Sequence, residues 1–173
     1  MFRPLAFSIS LVLAGTSLAN AAQVVALGAS NTAGRGIASH PDGVPRAQAY
    51  PAQLERMLNA KGCRVKVLNA GTPADTTSGM RARLPGVMAK DTKVVIFQGG
   101  GNDARQGKSG ETSANIAAIQ NIVAARGAKL VTMGNLNSIA GAYRLADGQH
   151  FSVEGHIAFA NSVLSEVRSA LGC

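Results

Sequence analysis

Three residues of this sequence have the types and settings needed for acyl transfer. Ser30 follows a short apolar run that ends at Gly28, where a turn would expose its hydroxyl. Asp147 lies three residues before His150, so its carboxylate can reach the imidazole within one local turn. A serine hydroxyl becomes a good nucleophile when an imidazole accepts its proton and a carboxylate fixes the imidazole tautomer. The pattern therefore predicts a catalytic triad of Ser30, His150 and Asp147.

The same chemistry needs hydrogen-bond donors for the negative charge that develops on the carbonyl oxygen. Asn102 follows a run of three glycines and offers a side-chain amide. The backbone N–H groups of Ser30 and Gly71 complete the predicted oxyanion hole. Loss of one such donor typically raises the barrier by about 3 kcal/mol.

Strands and helices alternate along the chain, which favours a parallel sheet covered by helices on both faces, a three-layer α/β/α domain. In such sheets ligands bind at the carboxyl ends of the strands, where the candidate residues lie. The helix predicted over 77–88 contains Pro85, and we expect an interruption there. Apolar runs predict strands at 23–27, 64–68, 93–97 and 129–133, and helical patterns cover 50–61, 77–88, 112–126 and 152–172. The last helix carries an apolar stripe that we expect to face the core, formed by Ile157, Ala160, Leu164, Val167 and Leu171.

Four sequence blocks in the order Ser, Gly, Asn, His resemble those of the SGNH hydrolases, also called GDSL esterases and lipases. The resemblance implies a flavodoxin-like parallel sheet and hydrolysis of a small-molecule ester or thioester, without metal or cofactor. It assigns the triad to Ser30, Asp147 and His150, and the oxyanion hole to Ser30, Gly71 and Asn102. The blocks are VALGASNTAG at 25–34, NAG at 69–71, GGND at 100–103 and DGQH at 147–150.

One residue departs from the family pattern. The first block usually reads Gly-Asp-Ser, and this chain has Ala29 in the Asp position. That Asp is not the triad carboxylate, so the assignment of Ser30 stands. We expect Ala29→Asp to keep the triad intact and to alter activity by a modest factor.

Other motifs and functions fit less well. The glycine-rich segment 28–36 lacks the Gly-Lys-Ser/Thr ending of a phosphate-binding loop. Thr32 occupies the second glycine position of an α/β-hydrolase elbow. His40, His150 and His156 show no metal-ligand spacing, and we expect His156 to be a packing or surface residue. Two alternatives stay open, a carbohydrate O-acetylesterase and a degenerate domain that binds such a ligand without hydrolysing it.

The chain termini and composition suggest where the protein acts. Residues 1–21 combine one early positive charge, an apolar run and a small-residue cleavage site, as signal peptides do. Residues 22–173 then form a single domain, which we expect to be a periplasmic or secreted monomer without stable membrane insertion. Lys and Arg total 17 against 9 Asp and Glu, but they are scattered and aromatics are few, so nucleic-acid binding is not predicted.

Six basic residues fall near predicted strand ends and suggest a positive rim that favours anionic esters. They are Arg35, Arg46, Arg81, Arg105, Lys108 and Arg144.

The two cysteines form a candidate disulfide in an exported protein. Cys63 precedes the second strand and Cys173 ends the last helix, so both belong at the face opposite the active site. Two free thiols are the alternative.

Overall fold

A computed structural model describes residues 21–36, 38 and 42–173. The signal peptide predicted at 1–21 lies outside the described residues except for Ala21, and His40 lies outside them as well.

A parallel four-stranded sheet forms the centre, and its strands lie side by side in the order β2 (Val65–Gly71), β1 (Ala22–Gly28), β3 (Thr92–Gln98) and β4 (Lys129–Thr132). Val24–Leu27 of β1 and Val94–Phe97 of β3 are buried on both faces, which explains their continuous apolar sequence. The order places β1 and β3 in the middle, so the segments after these strands meet at the sheet's carboxyl edge.

Helices cover both faces of the sheet. One apolar cluster joins α2 (Tyr50–Ala60) and α7 (Val153–Leu171) to the sheet. The other joins α3 (Thr77–Val87) and α5 (Ser109–Ala125) to the opposite face. The predicted three-layer α/β/α architecture is therefore confirmed. The shorter helices are α1 (Ser30–Ala33), α4 (Gly101–Arg105) and α6 (Leu136–Ala140).

Two helices differ from the sequence prediction. The predicted interruption at Pro85 is wrong, since α3 continues through it to Val87. Proline has no N–H to donate to the carbonyl of residue 81, so the helix lacks one hydrogen bond there. Only two helical residues follow Pro85, and the helix keeps its form to its end. In α7 the buried side includes Phe159 and Val163, whereas Ile157, predicted to face the core, is exposed.

Cys63 and Cys173 form the predicted disulfide, with their Cα atoms 5.4 Å apart. The bridge ties the end of α7 to the segment that enters β2, at the edge of the sheet opposite the strand carboxyl ends. Within the described part of the chain, no helix is long and apolar enough to cross a membrane.

Candidate active site

Ser30 is the first residue of α1, two residues beyond the end of β1. The tight turn requires Gly28, because a Cβ there would lie 2.0 Å from Thr32 Oγ1 and 2.9 Å from the Gln98 carbonyl oxygen. At the first position of a helical turn, the Ser30 N–H has no helical carbonyl to bond. Both the hydroxyl and the N–H of Ser30 are thus placed at the carboxyl edge of the sheet.

Asp147 and His150 form a hydrogen-bonded pair in the loop before α7. Asp147 Oδ1 accepts from the backbone N–H groups of Gln149 and His150, each at 2.9 Å. Asp147 Oδ2 contacts His150 Nδ1. Burial raises the pKa of Asp147, but the hydrogen bonds from His150 and Gln149 outweigh it and lower the pKa to about 2. The carboxylate is therefore ionised at neutral pH, and it holds the proton of His150 on Nδ1.

Ser30, Asn102 and His150 line one cavity of about 250 Å³. His150 Nε2 is buried and finds no hydrogen-bond partner among the described residues, which include Ser30. A catalytic hydrogen bond is often long or misaligned until substrate binds. The structure thus brings together the serine, histidine and asparagine that the sequence predicted. The other lining residues are Gly36, Ala74, Arg105, Gln106 and Gln149.

The Asn102 side chain is held in one orientation by two partners. Its Nδ2 donates to the Asp75 carbonyl oxygen at 2.8 Å, and its Oδ1 accepts from Arg105 Nη2 at 2.8 Å. An amide nitrogen carries two N–H groups, so one remains available for a ligand. The neighbouring Asp103 is buried and accepts the Thr77 N–H at 3.0 Å, which ties α4 to the start of α3.

The structure does not bring Gly71 into this cavity. The Gly71 N–H donates to Asn69 Oδ1 at 3.0 Å, and a Cβ at Gly71 would lie 2.1 Å from the Ala33 nitrogen. The predicted oxyanion role of Gly71 is therefore corrected: this glycine lets the end of β2 pack against the backbone of α1.

Ala74 lies in the segment between β2 and α3. It lines the Ser30 cavity, and its N–H has no acceptor among the described residues. Its φ of 61° lies in the left-handed region that favours glycine. No feature of the sequence marks this residue, because alanine rarely adopts such a conformation.

Arg83 is a second residue that sequence reasoning missed. Its guanidinium donates to the Ala70 carbonyl at 2.7 Å, to the Gly28 carbonyl at 2.9 Å and to Asp75 Oδ2 at 2.8 Å. These bonds join the carboxyl ends of β1 and β2 to the loop that carries Ala74. Nothing in the sequence distinguishes this arginine from a solvated helix residue.

Ala29 is buried within the apolar cluster of α3 and α5. A carboxylate introduced here would have to be desolvated among apolar neighbours. We therefore expect Ala29→Asp to cost stability as well as to alter activity.

His156 is fully buried in α7, as the sequence analysis allowed. Its Nδ1 accepts the Tyr50 N–H at 3.2 Å. Burial, followed by the nearby charge of His150, lowers the pKa of His156 to about 4. The neutral ring is a packing residue that joins α7 to α2.

The basic residues are divided around the site. Arg105 lines the Ser30 cavity, and Arg144 lines a neighbouring cleft. Arg35 and Arg46 line another cavity, of about 700 Å³. Arg81 and Lys108 are not among the lining residues of these cavities.

The model of the GDSL-like lipase/acylhydrolase family matches residues 26–173, which is most of the chain. The chain belongs to that family. The matched range includes Ser30, Gly71, Asn102 and His150.

Known proteins of this family are similar in sequence and fold. The esterase TesA of Pseudomonas aeruginosa is 32% identical over 94 residues, a region that spans 53% of this chain and 47% of that protein. A crystal structure of TesA superimposes with a TM-score of 0.75 at 22% identity, over 86% of this chain and 99% of that one. A carbohydrate acetylesterase family member from Sinorhizobium meliloti gives a TM-score of 0.68 at 17% identity, over 88% of this chain and 100% of that one. These structural likenesses establish the shared SGNH-hydrolase fold.

Proposed function

We propose that this protein is a serine-dependent hydrolase of carboxylic esters or thioesters. The observation that carries the proposal is the meeting of Ser30, His150 and Asn102 in one cavity, with the Asp147 carboxylate on the far nitrogen of His150. Family membership and the name of the esterase TesA support the same reaction class.

Ser30 and His150 perform the proton and bond changes of the proposed mechanism. Ser30 Oγ attacks the substrate carbonyl carbon while His150 Nε2 accepts the hydroxyl proton. The imidazolium then gives this proton to the departing alkoxide or thiolate, and an acyl-serine remains. Water, activated by His150 in the same way, releases the acid and restores Ser30.

Asp147 and the oxyanion hole stabilise the charges that appear during these steps. The ionised Asp147 stabilises the imidazolium and keeps Nε2 facing Ser30. The carbonyl oxygen, when negative, accepts hydrogen bonds from the Ser30 N–H, the Ala74 N–H and the free N–H of Asn102 Nδ2. Ala74 thus replaces Gly71 in the oxyanion hole that the sequence predicted.

Export is part of the proposal. Residues 1–21 support cleavage of a signal peptide, so we place the mature monomer in the periplasm or the medium. The proposed reaction uses side-chain and backbone groups of this chain, the substrate and water.

A carbohydrate O-acetylesterase is the second candidate. A cleft beside the Ser30 cavity is lined by several side-chain amides, which suits a polar alcohol bearing hydroxyl groups. Likeness to a carbohydrate acetylesterase family member agrees with it.

A substrate panel tests the function and separates the two candidates. Nitrophenyl esters of increasing chain length, a thioester and acetylated xylan are assayed with the mature wild-type protein, Ser30→Ala and Ser138→Ala. Ser138 is exposed on α6 and serves as the control serine. We expect Ser30→Ala to lower kcat by roughly 10⁴-fold or more on every substrate, with Ser138→Ala unchanged. Equal rates in Ser30→Ala and wild type would refute the proposed nucleophile.

A further inference from the structure

A polar cleft of about 320 Å³ borders the Ser30 cavity, and we call it the amide cleft. Arg105 and Gln149 line both, so a ligand held at Ser30 can extend into it. The amide cleft contains five side-chain amides, those of Asn31, Gln98, Asn135, Asn137 and Gln149.

Several of these amides have their oxygen atoms engaged within the protein. Asn135 Oδ1 accepts the N–H groups at the start of α6, and Asn137 Oδ1 accepts from Arg144 Nη2 at 3.0 Å. Gln98 Oε1 accepts from Thr32 Oγ1 at 3.4 Å. The NH₂ groups of these three amides are therefore the ends left for a ligand. Asn31 is the exception, because its Nδ2 donates to the Gln149 carbonyl oxygen at 3.2 Å and its Oδ1 has no partner among the described residues. Donors thus outnumber acceptors among the amide groups whose bonding is known.

The cleft is also positively charged. Arg105 and Arg144 line it, and no Asp or Glu is among its lining residues. In the described residues, three ion pairs form, and neither arginine belongs to one of them. The two guanidinium groups bond only to neutral acceptors, which include Asn102 Oδ1 and Asn137 Oδ1. No carboxylate among the described residues therefore pairs directly with either guanidinium group.

We propose that the amide cleft is a subsite for an anionic, oxygen-rich group, a carboxylate or a phosphate, attached to the ester being hydrolysed. Donor-rich amides together with two unpaired guanidinium groups match the acceptor oxygens of such a group. The absence of carboxylates from the lining disfavours a cationic substrate. This inference rests on the proposed ester hydrolysis at Ser30 and names its substrate class.

Matched pairs of esters test the subsite. On the alcohol side, 3-acetoxybenzoate is compared with 3-acetoxybenzamide; on the acyl side, mono-4-nitrophenyl glutarate is compared with 4-nitrophenyl butyrate. We expect kcat/KM to favour the anion in one pair by roughly three- to tenfold at low salt. The preferred pair shows which half of the ester enters the cleft. The preference should shrink towards unity at about 0.5 M salt, where exposed charges are screened.

Variants then locate the effect. For each variant we take the ratio of kcat/KM for the anionic ester to kcat/KM for the neutral ester. A general loss of activity or stability affects both values equally and leaves this ratio unchanged. Arg144→Gln should reduce that ratio by roughly threefold. Arg105→Gln should reduce it similarly and also slow the neutral ester, since Arg105 holds Asn102. Arg81→Gln removes the same charge from an exposed position of α3 that lines none of these cavities, and it should leave the ratio unchanged.

Failure of the subsite and failure of the proposed function give different results. Equal, salt-independent rates for both members of both pairs would overturn the subsite while leaving an esterase. A ratio that falls equally in Arg81→Gln would also overturn it. If none of the four esters is hydrolysed, binding of the two phenols to Ser30→Ala separates the outcomes. Tighter binding of 3-hydroxybenzoate than of 3-hydroxybenzamide would support the subsite and refute the esterase. Equal binding of the two phenols, with no hydrolysis, would refute both the subsite and the proposed ester hydrolysis.

Discussion

At the residue scale, the site depends on where single backbone N–H groups are left without partners. The Gly71 N–H donates to Asn69 Oδ1, whereas the N–H of Ala74, which lines the Ser30 cavity, has no acceptor among the described residues. The two residues also differ in space, since Gly71 lies against the backbone of Ala33. Exchanging glycine and alanine at these positions should therefore have opposite effects.

We expect Ala74→Gly to retain activity and stability, because glycine adopts the left-handed conformation of this residue without strain. Gly71→Ala should destabilise the protein by about 2 kcal/mol or more, because its Cβ would displace the Ala33 backbone. Urea denaturation and kcat/KM for a nitrophenyl ester are measured on both variants. A stable but inactive Gly71→Ala protein would restore Gly71 to the oxyanion hole and contradict our assignment.

The sequence pointed to those candidate site residues whose chemical type is distinctive. Ser30, Asn102, Asp147 and His150 follow predicted strand ends or precede a helix, and their types suit acyl transfer. Ala74 contributes only backbone, so its side chain gives no signal. Arg83 acts through contacts with Gly28 and Ala70, which are 55 and 13 residues away in the chain.

At the element scale, the apolar runs and helix periodicity were sufficient to predict the four strands and the four long helices. The short helices α1, α4 and α6 have four or five residues, too few for a periodic pattern. The apolar pattern of α7 predicts in part the wrong buried side. The structure buries His156 and Phe159, whereas the pattern favours Ile157, which is exposed. A buried neutral histidine looks like a polar surface residue in the sequence.

His156 should make stability depend on pH. Its pKa is about 4 in the folded protein and 6.5 ordinarily, so between these values the unfolded chain binds more protons. The contribution of His156 is complete above about pH 6.5 and is lost as the pH falls towards 4. Its upper limit is about 3 kcal/mol, from 1.36 kcal/mol per pKa unit.

Urea denaturation of wild type and His156→Asn at pH 7, 5.5 and 4.5 measures this effect. Asparagine does not titrate and can still accept the Tyr50 N–H. We expect a smaller loss of unfolding free energy in the variant than in the wild type over this range. Parallel pH profiles for the two proteins would show that the buried ring is not the source.

At the scale of the whole molecule, the disulfide and the site occupy opposite edges of the sheet. Cys63 enters β2 at its amino end, whereas Ser30 and Asn102 follow the carboxyl ends of β1 and β3. The bridge spans a sequence separation of 110 residues, for which chain entropy gives at most about 4.7 kcal/mol. Stability and activity should therefore respond separately to its removal.

We expect Cys63→Ser/Cys173→Ser to lower the unfolding free energy by about 2–4 kcal/mol and to leave kcat/KM at 25 °C nearly unchanged. Denaturation in urea and ester hydrolysis are measured on the same preparations. Reduction of the disulfide in the wild type should lower the unfolding free energy by the same amount. The same reducing conditions should not change the stability of the double variant, which has no disulfide. A large loss of kcat/KM in a folded double variant would show that the two edges of the sheet are coupled.

The central claim is that Ser30 is the nucleophile, activated by His150. The most direct measurement is reaction with a fluorophosphonate, followed by intact-mass and peptide-mapping mass spectrometry of wild type, Ser30→Ala and His150→Ala. We predict one adduct per chain on the peptide that contains Ser30, much slower labelling of His150→Ala, and no adduct on Ser30→Ala. Labelling of another serine, or equal labelling of Ser30→Ala, would contradict the account.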